Sequence, residues 1–131
     1  MKAAFTLLVL AALCGCGMGA QVDSGRDTSA RFLELMALKK YQQAHELCAG
    51  ETVSLDDLKA WAADPGNLSL LRDFAGVDWS SGGQLATQDG MSTLRLPEST
   101  LKGRPDVKVN FTLRKDDDTW KIIGFAIKSG R

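Results

Sequence analysis

Apolar and polar residues alternate most regularly in the C-terminal third of the chain. The residues at 108, 110, 112 and 114 are polar, and the residues between and before them are Val107, Val109, Phe111 and Leu113. This period of two predicts a half-buried strand, and Asp116–Asp118 predict the turn that ends it. From Trp120 to Ile127, apolar residues occupy both odd and even positions, which predicts a strand in the middle of a sheet.

Shorter strands are predicted upstream of this pair. Val77–Trp79 begins one that Ser80–Gly83 interrupts, and Gln88–Gly90 forms a turn before a second strand at Met91–Leu96. Pro97 is expected to limit that second strand, because proline cannot donate a ladder hydrogen bond.

The segment from Ser29 to Cys48, which precedes these strands, has the period of a helix. From Ser29, apolar residues recur three or four positions apart as far as Cys48, with Asp27 or Thr28 as the cap and Gly50 as the end. Lys39-Lys40 predicts a break between two shorter helices.

A further helix is predicted to begin at Ser54, because Asp57 completes a capping box with it, and to stop at Pro65-Gly66. The run Asn67–Phe74 is read as either another helical turn or an irregular crossing. Helices followed by an antiparallel meander indicate one α+β domain over 29–131, with the helices packed on one face of a curved sheet.

Charge excludes one class of partner. Lys and Arg number 16, as do Asp and Glu, so the formal net charge is +0. No strong field is available to gather a polyanion, and we expect no nucleic-acid binding.

The N-terminus predicts export. Met1-Lys2 is followed by an uncharged apolar run from Ala3 to Leu13, the pattern of a cleaved signal peptide over residues 1–15. The run is shorter than the ~20 apolar residues of a transmembrane helix.

Leu13-Cys14-Gly15-Cys16 resembles the bacterial lipobox. Cys16 fits the modified position, because Gly15 precedes it, whereas bulky Leu13 precedes Cys14. The resemblance implies a diacylglyceryl thioether on Cys16, an acyl chain such as palmitate on the freed amine, and attachment to a membrane. In the enterobacterial sorting pattern that this segment resembles, Asp at position 17 would retain the protein in the inner membrane. Gly17 therefore favours the outer membrane, facing the periplasm, if the source has one.

Residues 16–28 are rich in Gly, Ser and Asp, which predicts a flexible tether between lipid and domain. With Cys14 removed and Cys16 capped, Cys48 has no disulfide partner. It is read as a small buried residue, with a reactive thiol as the alternative.

The segment Phe32–Cys48, centred on Tyr41–Leu47, and the ending Trp120–Phe125 resemble a nuclear-transport-factor-two-like domain. The usual Gly-Asp before the tyrosine is Lys39-Lys40 here. The resemblance covers roughly 29–129 and implies a bent sheet wrapped around helices to form a cone that can hold a small molecule. Relatives include enzymes, ligand binders and adaptors, so fold alone does not give function.

Few residues are candidates for chemistry. Asp116–Asp118 lack the spacing of a calcium loop, and His45 is the only histidine, so we expect no metal site. Asp78 or Asp89 would be the acid or base of an enzyme in such a cone, and His45 could pair only with Cys48.

We therefore expect no catalytic residues and no cofactor. The expected function is that of a non-catalytic domain that binds a small apolar ligand or an envelope protein partner. The expected pocket lining is aromatic and consists of Trp79, Phe111, Trp120 and Phe125. The alternatives are an isomerase- or dehydratase-type enzyme and a structural subunit of an envelope assembly.

Overall fold

The computed structural model describes the backbone of residues 2–129 and the side chains of residues 19–129. In this part of the chain, helices precede a strongly curled antiparallel sheet, which confirms the α+β class. The helices are α1 (Lys2–Ala37), α2 (Tyr41–His45), α3 (Leu55–Ala63) and α4 (Pro65–Ser69). The strands are β1 (Val77–Asp78), β2 (Gln84–Gln88), β3 (Met91–Leu101), β4 (Arg104–Asp116) and β5 (Thr119–Ser129).

β3 and β4 form the centre of the sheet. One edge of β3 pairs with β2 near its start and with β1 near its end, and its other edge pairs with β4. β5 pairs with β4 and forms the opposite border of the sheet.

The alternating strand is confirmed in β4, whose apolar row is at most 1% exposed. That row packs on Phe32, Leu33 and Met36, which α1 presents to the sheet and which are all 0% exposed. The core therefore lies between one face of α1 and the inner face of the sheet.

α1 does not begin at Ser29, where we expected the helix to start. Val22 is 8% exposed and belongs to the core, and the Arg26 guanidinium donates to two carbonyls of the loop at 80–83, at 3.0 and 3.2 Å. Residues from about Val22 onward are thus packed against the sheet. Cys16 and the signal peptide precede them, outside the described side chains, and the division of the chain at residues 15 and 28 stays a prediction.

Gly25 provides a test of this packing. A Cβ at Gly25 would overlap the Cδ2 methyl of buried Leu94, whereas a Cβ at exposed Gly19 would meet no atom within 4 Å. Gly25→Ala is expected to lower the free energy of unfolding by about 1–3 kcal/mol through overpacking. Gly19→Ala should raise it by up to ~1 kcal/mol through helix propensity. Equal thermal stability of the two variants would show that α1 does not pack on the sheet here.

The predicted break at Lys39-Lys40 is confirmed. Lys39 has a φ of 62°, the Lys39 amide donates to Met36, and the Lys40 amide donates to Leu35 at 2.8 Å. These are the two hydrogen bonds of a Schellman motif, which ends α1 and starts α2. α2 ends at His45, short of Gly50, because Leu47–Ala49 pair with β5 instead.

The capping box is also confirmed. Ser54 accepts a hydrogen bond from the Asp57 amide, and the Asp57 carboxylate accepts one from the Ser54 amide, both at 3.0 Å. α3 ends at Ala63, and Asp64 then caps α4 by accepting from the Gly66 amide at 2.8 Å, with Pro65 at the first helical position.

β5 is an edge strand, so its expected central position was wrong. Asp117 and Asp118 form a two-residue turn with φ values of 48° and 64°. The ladder pairs Leu113 with Ile122, and after a bulge it pairs Phe111 with Phe125. The bulge moves the odd-numbered residues beyond Ile123 onto the face that carries Ile122.

Pro97 does not end the second predicted strand. β3 continues to Leu101, and its register against β4 shifts between Leu96 and Ser99. A bulge is a site where a strand tolerates a residue without an N–H, which explains how Pro97 fits within the strand. The predicted turn before β3 is confirmed, with Asp89 and Gly90 as its two central residues.

Candidate functional site

Three of the four expected pocket-lining aromatics belong to one cluster with Phe32 of α1, in which Phe111 and Phe125 contact Phe32 and Trp79 contacts Phe111. The Phe32 ring lies 5.0 Å from Phe125 and 6.2 Å from Phe111, and Trp79 lies 6.2 Å from Phe111, all between ring centroids. Trp61 adds an edge contact to Phe125 at 6.3 Å. These spacings are those of packed aromatic pairs, so a side chain of the protein itself fills the inner face at this point.

Trp120 lies apart from this cluster. It is 3% exposed, and the Lys115 ammonium lies 5.8 Å from its ring centroid. Phe111 is the only one of the four that borders a described cavity, a polar one of about 540 Å³ on β3 and β4 with Arg95, Glu98 and Asn110 in its lining.

An apolar groove lies elsewhere, between the end of α1 and the segment that contains α4. We call it the α1–α4 groove, and its volume is about 620 Å³. Its lining is formed by Glu34, Ala37, Leu38, Pro65, Leu68, Ser69, Leu71, Arg72, Asp73 and Phe74. Most of these side chains are apolar, and the groove opens to solvent beside Leu38, which is 57% exposed.

Local structure holds the two walls of the groove in place. The Schellman motif at Lys39 turns the chain away and leaves Leu38 at the exposed end of α1. On the other wall, the Arg104 guanidinium donates to the carbonyls of Ser69 and Leu70, at 2.8 and 3.3 Å. This arginine joins the end of α4 to the start of β4.

Sequence reasoning missed this groove. Leu68, Leu71 and Phe74 are spaced by three, which is compatible with both alternatives for the run Asn67–Phe74, a helical turn and an irregular crossing. The structure has a short helix followed by turns. The run therefore buries Leu71 and leaves Leu68 and Phe74 half-buried in the groove.

The two candidate carboxylates do not share a site. Asp78 is exposed at the end of β1, opposite Thr100, and Asp89 is exposed in the turn that leads to Met91. Thr100 and Met91 lie at opposite ends of β3, roughly 30 Å apart along a strand of ideal rise. Neither carboxylate lines the α1–α4 groove.

Cys48 is a packed residue. It is 6% exposed, and its Sγ donates to the Ala44 carbonyl at 3.6 Å. Burial raises the pKa of the Cys48 thiol to about 12, and the charge of Lys121 lowers it by less. The thiol is therefore protonated at neutral pH, which favours the structural reading over a reactive nucleophile. His45 is half-buried on α2, and its Nε2 has no hydrogen-bond partner among the described residues.

A charged cluster joins the tip of β4 to the loop after α2. The Arg114 guanidinium donates to both Asp116 oxygens, at 2.9 and 3.0 Å, and to the Glu51 carboxylate. These hydrogen bonds hold the pKa of Asp116 and the pKa of Glu51 below their usual values. The cluster lies at the surface and each of its charges has a partner of opposite sign, so we assign it a structural role and do not treat it as a candidate site.

Within residues 19–129, no three His, Cys, Asp or Glu side chains are grouped closely enough to hold a metal ion. A search of the same part of the chain finds no helix with the length and hydropathy needed to cross a membrane. Comparison of the chain with protein-family models, curated proteins and solved structures gives no match.

Proposed function

We propose that this chain is a lipid-anchored envelope protein whose domain binds a small apolar ligand without catalysis. The anchor rests on the lipobox-like Leu13–Cys16 segment, which supports lipid attachment at Cys16 and a position on the periplasmic side of the outer membrane. The resemblance to nuclear-transport-factor-two-like domains supports a binding role, because that family includes ligand binders.

The α1–α4 groove carries the binding part of this proposal. Its volume of about 620 Å³ lies within the range of small-molecule sites, which are concave, mostly apolar and provided with a few polar groups. Glu34, Arg72 and Asp73 are the charged groups in its lining. An apolar ligand with one polar end matches this composition.

An envelope protein partner is the second candidate. Leu38 is 57% exposed and continues the apolar lining of the groove, and a contiguous apolar surface rimmed by polar residues is a feature of protein contact sites. A photoreactive amino acid at position 38 that captured one discrete protein in cells, absent when the same group stood at position 91, would favour this candidate.

Ligand binding is tested with a neutral apolar dye, N-phenyl-1-naphthylamine, in detergent-free buffer with residues 19–131, which contain the whole described core. Leu38→Glu adds a charge to the lining at an exposed position, so the fold should persist while dye affinity falls on the order of tenfold. Met91 is the matched control, because it is 48% exposed on the β2–β3 hairpin and outside the groove. Equal affinity of Leu38→Glu and Met91→Glu would exclude the α1–α4 groove as the binding site.

A further inference from the structure

In the described part of the chain, the outer edge of β2 is free of backbone pairing. Among the described residues, β2 pairs only with β3. Gln88 and Met91 flank the two-residue turn Asp89-Gly90, so they form the hydrogen-bonded pair that closes the hairpin. Hydrogen-bonded and open pairs alternate along an antiparallel ladder. The backbone N–H and C=O groups of Leu85 and Thr87 therefore point away from β3.

The composition of β2 sets it apart from the other border of the sheet. β5 carries Lys121 and Lys128, and the segment Leu47–Ala49 covers part of its edge through backbone hydrogen bonds to Ile122, each 2.9 Å long. Charged residues and covering segments are the devices by which sheet edges avoid pairing with other chains. β2 is Gln-Leu-Ala-Thr-Gln and has neither a charge nor a proline.

We propose that β2 pairs antiparallel with β2 of a second copy of this chain, about a two-fold axis at Ala86. In this register Leu85 faces Thr87 of the other copy, and the outward backbone groups of both residues meet as hydrogen-bonded pairs. There are two such pairs, and each contributes two hydrogen bonds, so four backbone hydrogen bonds join the two copies. Each Gln84 then faces the other copy's Gln88, and the two Ala86 residues face each other across an open pair.

The sequence of β2 favours a second copy as the occupant of this edge. A two-fold axis at Ala86 places that residue opposite its own counterpart, so a charge at position 86 would meet a like charge. β2 is uncharged and nearly palindromic, with glutamine at both ends and alanine at the centre. Four of its five residues, all except Leu85, are exposed.

The interface is small, so cross-linking in membranes is a more suitable test than measuring the molecular mass of the protein in dilute solution. Five residues from each copy are fewer than the roughly 20–30 per side of a standard stable interface. Open antiparallel pairs bring Cβ atoms to about 4.5–5.5 Å, within reach of a thiol-specific cross-linker of short span.

The experiment expresses the full chain with Ala86→Cys and treats the membranes with such a cross-linker. We expect a covalent dimer joined at position 86, with a yield at least tenfold above that of Gln43→Cys. Gln43 is the control because its side chain is exposed on α2. Co-expressed Gln84→Cys and Gln88→Cys chains should cross-link to each other, which tests the register. Cross-linking of Ala86→Cys no greater than that of Gln43→Cys, with both thiols reactive to a small maleimide, would overturn the proposal.

Charged substitutions at position 86 provide an independent test of the same pairing. Ala86→Lys in both the Gln84→Cys and the Gln88→Cys chains should reduce their cross-linking on the order of tenfold, because two ammonium groups would meet at the axis. Ala86→Lys in one chain and Ala86→Glu in the other should restore it. A mixed pair no better than the Lys pair would contradict pairing about Ala86.

Discussion

Phe32→Ala is expected to lower the free energy of unfolding by about 3–5 kcal/mol, the usual cost of removing a buried phenylalanine. Phe32 is 0% exposed, and its ring contacts Phe111 and Phe125 from the helix side. Truncation would leave a cavity that two strands of a paired sheet cannot close without losing hydrogen bonds. Because domains of this size are stable by only about 5–15 kcal/mol, the loss is a large share of the total.

Chemical denaturation of residues 19–131 measures this effect. Leu38→Ala is the control, because Leu38 directly follows the same helix and is 57% exposed; its effect should stay within about 0.5 kcal/mol. A loss below about 1 kcal/mol for Phe32→Ala would contradict the assignment of Phe32 as the centre of the core.

Cys16→Ser is expected to remove from the membrane fraction nearly all of the protein whose signal peptide has been cleaved. Each buried methylene contributes ~0.8 kcal/mol to membrane attachment, so several acyl chains hold a protein nearly permanently. In residues 19–129, no helix is long and apolar enough to cross a membrane. Serine retains the size of the side chain but cannot form the thioether.

Fractionation of cells that express Cys16→Ser or Cys14→Ser separates this explanation from a general effect of losing a cysteine. Cys14→Ser should remain in membranes, because Cys14 lies in the part of the signal that we expect to be removed. Cys16→Ser protein that is cleaved before residue 16 and still sediments with membranes would refute lipid anchoring.

The sheet was predictable where one local rule decided the structure. Strict alternation predicted β4, because one face of that strand is buried from Val107 to Leu113. The turn at Asp89-Gly90 and the break at Lys39 were also predictable, since each depends on the backbone preferences of a few adjacent residues.

The expected central position of β5 was wrong because a bulge in this strand gives its sequence the pattern of two apolar faces. Trp120 and Ile122 stand at even-numbered positions, and Phe125 and Ile127 stand at odd-numbered positions. The register shift between Thr112 and Leu113 nevertheless turns all four side chains toward the same face of the sheet. A bulge depends on the partner strand, so the sequence of β5 alone cannot reveal it. The register shift beside Pro97 also depends on the partner strand β4, so the sequence of β3 alone predicts a strand end at Pro97.

The candidate site was less predictable than the fold. The α1–α4 groove brings Leu38 together with Leu68 and Phe74, which are distant in sequence and meet only through tertiary packing. The aromatic residues expected to line a pocket are real neighbours in the case of Trp79, Phe111 and Phe125. The sequence could not show that the Phe32 ring packs against Phe111 and Phe125, because the helical spacing of Phe32 fits any buried position.

The central claim is that this chain is a lipoprotein anchored through Cys16, and the intact mass of its mature N-terminal peptide tests that claim most directly. We predict a peptide that begins at Cys16 and carries a diacylglyceryl group on the thiol, with a further acyl chain on the amine. A peptide that begins at any other residue, or at Cys16 with an unmodified thiol, would contradict the claim.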